Sequence, residues 1–564
     1  MYRNRNSNYP LYEVTEVKNL REMIELNAVR FAGNTAVSYK KDGNVVDVTF
    51  SEMKEQVDAF GTALCRLGLG DKHIAIIGEN CFGWFYTYLT LLNTKGVVVP
   101  IDKELPNNET INILKAAECT AVVFTQSYEK KILEMKDSVH EITHFICLDA
   151  PKTKADNFYN AEYLIETGRQ FIEEGDTCYI SIEPEVEELK QLMFTSGTTG
   201  VPKGVMHCQR NLVAVINEAQ KYLGITKCAL AVLPYHHSYE ATCGILTMYH
   251  HGMRVCINET LRTFLPNLAL YKPTELMLVP LFVENIYRRI WAQAEEKGKA
   301  KILRKLIKFS NAMLKIGIDL REKLFGSVRE AFGGELLVAI CGGAPLKPEQ
   351  YKFFYSIGIT LLNGYGITEC SPIVAVNRNE YHREGAVGLP IPCNRVKIKN
   401  PNEYGEGEIL VNGDNVMLGY YKNPTATAEV FDDGWFCTGD IGKIDKDGFL
   451  YVTGRIKNMI VLKSGKNVYP EEIEEALSNI KYIGEVIVSA SKDESDIEIA
   501  LCAEIFPNAD MTKEMGKEAI EAEIRKEISA FNEKQPNYKL IKKIIFRDEE
   551  FEKTTSKKIK RKYQ

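Results

Sequence analysis

Short, almost wholly apolar runs closed by turn residues recur along the chain, at 74-IAIIG-78, 97-VVVPI-101, 121-AVVFT-125, 191-QLMFT-195, 275-ELMLVP-280 and 336-LLVAICGG-343. Stretches with apolar positions at helical spacing lie between several of them, and this alternation predicts α/β layers. Runs such as 74–78 and 97–101 lack the apolar–polar alternation of a half-exposed strand, so they predict parallel sheets covered on both faces. The texture changes near residue 454. Pro470 opens a predicted helix whose first turn carries Glu471 and Glu472, where acidic groups suit the helix dipole, and Ile473, Leu477 and Ile480 line one side. The runs 486-VIVSA-490 and 497-IEIALCAEIF-506 follow, then a charged helix around 513–532. The expected architecture is α/β: a large N-terminal domain of several subdomains with layered sheets and helices over residues 1–453, and a small α+β C-terminal domain over 454–564.

One segment breaks the average. Residues 295–323 hold nine Lys/Arg against four acids, interleaved with Ile302, Leu303, Leu306, Ile307, Met313 and Leu314 at helical spacing. This is a basic amphipathic helix or helix pair, read either as a solvated face over a packed stripe or as a membrane-surface contact. The whole chain is mildly acidic, with 70 Lys+Arg against 76 Asp+Glu in 564 residues, which excludes a uniformly basic nucleic-acid binder. Its 14 Cys contain no C-x-x-C pair and read as reduced thiols of a cytoplasmic protein. The start MYRNRNSNYPLYEV has no apolar core of a signal peptide, and runs such as 83–94 and 241–253 fall short of the ~20 residues of a membrane span.

The sharpest chemical signal is 195-TSGTTGVPKG-204, directly after an apolar strand. Its small residues let backbone N–H groups approach a polyphosphate, the hydroxyls of Thr195, Ser196, Thr198 and Thr199 can donate to phosphate oxygens, Gly197 leaves room, and Lys203 supplies a cation. A P-loop kinase or ATPase is excluded because no G-x-x-x-x-G-K-[ST] occurs. His236, His237, His250 and His251, with Glu240 and Cys243, invite a metal reading, but H-E-x-x-H and paired-Cys spacing are both missing.

With this loop, the blocks 234-PYHHSYE-240, 342-GGAPL-346, 364-GYGITECSP-372, 419-GYYKNPTAT-427, 434-GWFCTGDIG-442 and 454-GRIKNMIVLKSGKNVYPEEIE-474 follow one another in an order that resembles the adenylate-forming (AMP-binding) superfamily. The resemblance covers residues 10–564. Block 454–474, together with 272–290 and 327–346, looks most like the long-chain fatty acyl-CoA synthetases. It implies a small mobile C-terminal domain hinged at the boundary that the texture marks. The implied activity is AMP-forming ligation of a medium- to long-chain fatty acid to coenzyme A: a carboxylate attacks the α-phosphate of ATP, and the thiol then attacks the acyl-adenylate. The implied cofactors are ATP, Mg2+ and coenzyme A.

Residue by residue, the resemblance makes Thr368, Glu369 and His237 catalytic, with Glu369 also the magnesium carboxylate. It places adenine against Tyr365, Gly366, Gly342, Gly343 and Ala344, and the ribose diol on Asp440. Arg455, Lys457 and Gly465 join the cofactor-binding set, and Lys457 is the hinge. In the tail 551-FEKTTSKKIKRKYQ-564, Thr554, Ser556, Ile559 and Arg561 fit the family's T-x-[ST]-G-K-[IL]-x-R and put the catalytic lysine at Lys558. The usual glycine is Lys557 here, which leaves two adjacent lysines for one role. Two other functions stay open: a fatty acyl-AMP ligase or acyl-carrier-protein synthetase that loads a phosphopantetheine arm, and a non-catalytic acyl- or nucleotide-binding homologue. The expected location is cytoplasmic, with 295–323 as the membrane-peripheral contact.

Overall fold

The computed structural model describes residues 10–195, 202–343, 346–461, 467–492, 499–508 and 515–553, with Ile559 and Arg561. These form two compact units, Met1–Arg395 with Val411–Phe436, and Val396–Leu410 with Cys437–Gln564. Gly454, where the texture of the sequence changes, lies inside the strand Leu450–Arg455 of the second unit.

The first unit is built on two large sheets. In one, His73–Ile77 lies between Val97–Ile101 and Ala121–Phe124, all parallel, and His144–Cys147 and Phe158–Asn160 extend it beyond Ala121–Phe124. On the other side come Leu189–Thr195 in parallel and then, antiparallel, Lys203–Cys208 and Gly419–Tyr420. Every residue of Val97–Ile101 and Ala121–Phe124 is buried, as expected of strands that carry no polar alternation. The second sheet runs through Thr360–Gly366, Val338–Cys341, Glu275–Leu278, Cys228–Ala231, Arg254–Ile257 and Thr35–Lys41 in parallel, with antiparallel strands at both ends. The six apolar runs of the sequence thus supply strands to these two sheets.

Helices cover both. Phe50–Arg66 begins at a capping box in which Thr49 and Glu52 satisfy each other's backbone N–H groups. Ala161–Glu173 crosses it so closely that a Cβ on Gly168 would lie 1.9 Å from the Ala59 carbonyl oxygen, so only glycine fits. Phe82–Leu92 is buried from Trp84 to Leu92, and among the described residues no helix is long and apolar enough to cross a membrane.

The second unit has its own core, which includes Val468, Ile473, Leu477, Val488, Ala503, Ile505, Ile524 and Ile528. Its three-stranded sheet pairs Ile483–Lys492 antiparallel with Ile499–Pro507, and that strand parallel with Ile541–Phe546. The parallel pair needs a crossover, which Lys517–Asn532 supplies, and Pro470–Ser478 buries Ile473 and Leu477 as its spacing predicts.

Candidate adenylation site

The phosphate loop joins two antiparallel strands, and Thr195 and Lys203 stand opposite each other at its base. Ser196, Gly197, Thr198 and Thr199 lie outside the described residues, as do Ala344, Gly465, Lys557 and Lys558. The Lys203 ammonium sits 4.7 Å from the ring centre of Tyr420, within cation–π range. The Tyr420 hydroxyl donates to Glu369 Oε1 at 2.9 Å. Burial and the Glu369 carboxylate both raise the phenol's pKa, so Tyr420 remains a donor. One tyrosine therefore links the cation of the phosphate loop to the acid of the GYGITE block.

Glu369 lies in the turn Thr368–Cys370, just after the strand Thr360–Gly366 that carries Tyr365. A Cβ on Gly366 would lie 2.3 Å from the Pro372 carbonyl oxygen, so the chain can double back only with glycine there. Backbone contacts fix the turn: Met417 N–H donates to Glu369 O at 2.9 Å, and Asn415 Nδ2 donates to Cys370 O at 2.8 Å. Ser238 Oγ lies 3.4 Å from Thr368 Oγ1, which brings the neighbourhood of His237 to the turn. His237 is half-buried, and its backbone N–H donates to Pro234 O at 3.0 Å. Tyr239 follows; its hydroxyl donates to Ile340 O at 3.0 Å, and a Cβ on Gly342 would meet its ring at 3.3 Å. Gly343, with φ +92°, takes a backbone conformation that suits glycine alone. Thr195, Lys203, Glu369, Thr368, Gly342 and the 237–239 segment are thus connected through a short series of contacts within the first unit.

A buried relay not visible in the sequence supports the same turn. Tyr88 O–H donates to Gln191 Oε1, the Gln191 amide lies 3.1 Å from His207 Nδ1, and His207 Nε2 lies 2.8 Å from Thr368 O. Burial pushes the His207 imidazole down to about 4. It is neutral, and the Nε2–H tautomer completes a one-way series of donors from Tyr88 to Thr368.

A groove of about 510 Å³ opens where His73–Ile77, Val97–Ile101 and Ala121–Phe124 end, lined among others by Glu79, Lys103, Ser127, Lys130 and Lys131. The chain leaves the central strand to one side and then crosses to the other, so the groove sits at a topological switch point, where α/β sheets bind ligands. The runs at 74, 97 and 121 mark the strands in the sequence, but the switch point depends on their order in the sheet, which only the structure supplies.

In the second unit Asp440 faces Arg455 across two antiparallel strands. Arg455 Nε lies 2.7 Å from Asp440 Oδ1, with the carboxylate buried and the arginine exposed. Lys457 lies in the adjoining turn Ile456–Asn458. The tail is tied down on both sides of 554–558: Lys553 and Ile559 form an antiparallel bridge, Lys553 pairs with Glu485 at 2.5 Å, and Arg561 pairs with Glu474.

Among the described residues no group of three or more His, Cys, Asp or Glu could hold a metal ion. His250 and His251 instead place a ring nitrogen 2.7 Å from Thr15 O and 3.1 Å from Ile216 O.

Comparison with known proteins identifies the family and the fold. The family model for the AMP-binding enzyme matches residues 24–421, and that for the AMP-binding enzyme C-terminal domain matches 457–564. The chain is 31% identical over 467 residues to the long-chain-fatty-acid–CoA ligase FadD15 of Mycobacterium bovis, covering 79% of this chain and 76% of that one. It is 28% identical over 491 residues to human long-chain-fatty-acid–CoA ligase 1, covering 80% and 68%. Among solved structures, the anthranilate CoA ligase AuaEII with anthranoyl-AMP superposes with a TM-score of 0.76 at 19% identity over 98% of this chain and 96% of that one. The o-succinylbenzoate CoA synthetase of Bacillus subtilis with its acyl-adenylate gives 0.70 at 21% over 97% of each. The α/β fold is therefore that of known adenylate-forming enzymes, and the chain belongs to the AMP-binding enzyme family.

Proposed function

We propose that this protein is an AMP-forming acyl-CoA ligase that activates a medium- to long-chain fatty acid with ATP and passes the acyl group to coenzyme A. The observation that carries this reading is the Lys203–Tyr420–Glu369 arrangement at the base of the phosphate loop. A nucleophilic carboxylate attacking a triphosphate brings anion against anion, so charge neutralisation and positioning must supply most of the acceleration. Lys203 brings a cation to the phosphates. Glu369, a hard oxygen donor, is the residue that would hold Mg2+, and with one protein carboxylate most of the remaining ligands must come from triphosphate and water, a common arrangement for this ion. When bound, the ion would offset the charge on the phosphates. Tyr365 and Gly342 would border the adenine, Asp440 would accept the ribose hydroxyls, and the cations of the groove at the strand ends suit the phosphates of coenzyme A.

The substrate assignment draws on the names of the relatives, which are long-chain-fatty-acid ligases. The test is pyrophosphate release with ATP, magnesium and a series of carboxylic acids of graded chain length, with and without coenzyme A. Release that peaks with medium or long acids, together with an acyl-CoA product, supports the proposal. An acyl-adenylate that stalls with coenzyme A and discharges onto a carrier protein would move the acceptor. No release with any acid would leave a binding homologue.

A further inference from the structure

The basic stretch 295–323 has no part in the chemistry proposed above. Its central helix, Ala300–Lys315, carries Lys301, Arg304, Lys305, Lys308 and Lys315 and no acidic residue. The inner side is set by Leu303 and Ser310, both buried, with Leu306 and Ile307 packed on the core. Residues seven apart return to nearly the same side of a helix, so Ile302, Phe309 and the C-cap residue Ile316 form one stripe. They are 56%, 51% and 70% exposed, and Ile318, just past the helix end, is 43% exposed. At about 100° per residue, this stripe lies between the inner side and the exposed Lys301, Lys305 and Lys308. Arg304 is engaged within the protein, over the Trp291 ring at 5.0 Å and 3.7 Å from Glu295.

A surface that covers this helix must do two things at once. It must remove a continuous aliphatic and aromatic stripe from water, and it must present negative charge along one edge of that stripe. A small anion meets only the second demand, and an ordinary apolar protein face only the first. The interface of an anionic bilayer meets both, with acyl chains below and phosphate headgroups at the level of the lysines.

We propose that Ala300–Lys315 is a membrane-docking helix that seats Ile302, Phe309 and Ile316 in the acyl boundary of an anionic bilayer and Lys301, Lys305 and Lys308 among its headgroups. Docking stands independently of the catalytic reading. Its use rests on that reading, because a long-chain acid partitions into the bilayer where the enzyme would then sit.

The experiment is vesicle flotation of the full chain without ATP or acid, using phosphatidylcholine alone and phosphatidylcholine with about one third phosphatidylglycerol. The expected result is flotation with the anionic vesicles at low salt and release at ~1 M salt, where the Debye length is only about 3 Å. Combining Lys301→Glu, Lys305→Glu and Lys308→Glu should lower the affinity on the order of a hundredfold. Combining Ile302→Ser, Phe309→Ser and Ile316→Ser should lower it at least about tenfold. All six side chains are exposed, and far-UV circular dichroism confirms that each variant is folded. The proposal is overturned by absence of flotation, by equal flotation with neutral vesicles, or by flotation that neither variant alters. It is also overturned if the serine variant abolishes self-association in place of vesicle binding, or if an acidic carrier protein binds the helix while vesicles do not. A wild type that floats but releases no pyrophosphate with any acid would refute the catalytic reading and leave the docking surface standing.

Discussion

The Thr368 carbonyl oxygen shows how a few buried side chains can fix a turn. His207 reaches it through Nε2, and Gln191 and Tyr88 behind His207 hold the tautomer that makes Nε2 the donor. Replacing His207 with phenylalanine removes this donor and leaves the Gln191 amide without its acceptor. Buried groups stripped of a partner cost about 1–3 kcal/mol each, so His207→Phe should lower the urea midpoint and slow pyrophosphate release, with Glu369 displaced next to the freed carbonyl. The pH dependence gives a second signature. The unfolded imidazole titrates near 6.5 and the folded one at about 4, so between these values the unfolded chain binds more protons and stability falls as pH falls, by up to ~1.4 kcal/mol per unit. His207→Phe should lose one proton's worth of this slope. Tyr420→Phe separates the two contacts of the phosphate-loop cluster: it keeps the ring under Lys203, removes the hydroxyl to Glu369, and should slow adenylate formation on the order of tenfold or more with little change in stability. Neither residue stood out in the sequence. Tyr420 lies inside a block quoted for its resemblance but carries no chemical signature of its own, and the relay joins positions 88, 191, 207 and 368, which only the folded sheets bring together.

At the scale of elements, the apolar pattern was enough both for short runs buried on two faces and for helices with one side on the core. The runs at 74, 97, 121, 191, 275 and 336 all supply strands, and the helix after Pro470 buries Ile473 and Leu477. Periodicity does not announce Tyr239–Thr247, a π-helix whose wider turns hold Glu240 fully buried. Gly244 makes room for it, since a Cβ there would lie 2.6 Å from Glu240 Oε1. Burial raises the carboxyl's pKa well above its ordinary value, so the folded protein holds this proton to a higher pH than the unfolded chain, which gives it up above about 4.5. The native state then binds more protons, and the contribution of Glu240 to stability falls as pH rises above 4.5. Glu240→Gln, close in shape and always neutral, should therefore match the wild type near pH 4 and exceed it at pH 8. Urea unfolding at the two pH values checks it. An equal loss of stability at both would mean that the glutamine packs badly and the proton is irrelevant.

At the scale of the whole molecule, the chemistry makes a demand that a fixed arrangement of side chains meets poorly. The first half-reaction must surround an acid and ATP with cations, and the second must open a path for a thiol to the acyl carbonyl. We propose that residues beyond Gly454 rotate between the two, with Lys457 as pivot and Lys558 serving only the first. Lys558→Ala should then abolish acyl-adenylate formation and spare thioester formation from supplied acyl-adenylate; if Lys557→Ala does this instead, the role moves by one residue. The pivot test is sharper. Lys457 lies in a tight turn between Arg455 and Met459, and Lys457→Pro fixes its φ near about −65°, removes its N–H and disfavours a helical conformation at Ile456. Any one locked conformer suits at most one half-reaction, so one rate should survive while the other falls by orders of magnitude. Single-turnover measurement of adenylate formation and of thiolysis, each on folded protein, reads the two separately. If both rates stay at the wild-type level, neither Lys457 nor its turn is the pivot, and the conflict between the two half-reactions must be resolved by motion elsewhere in the chain.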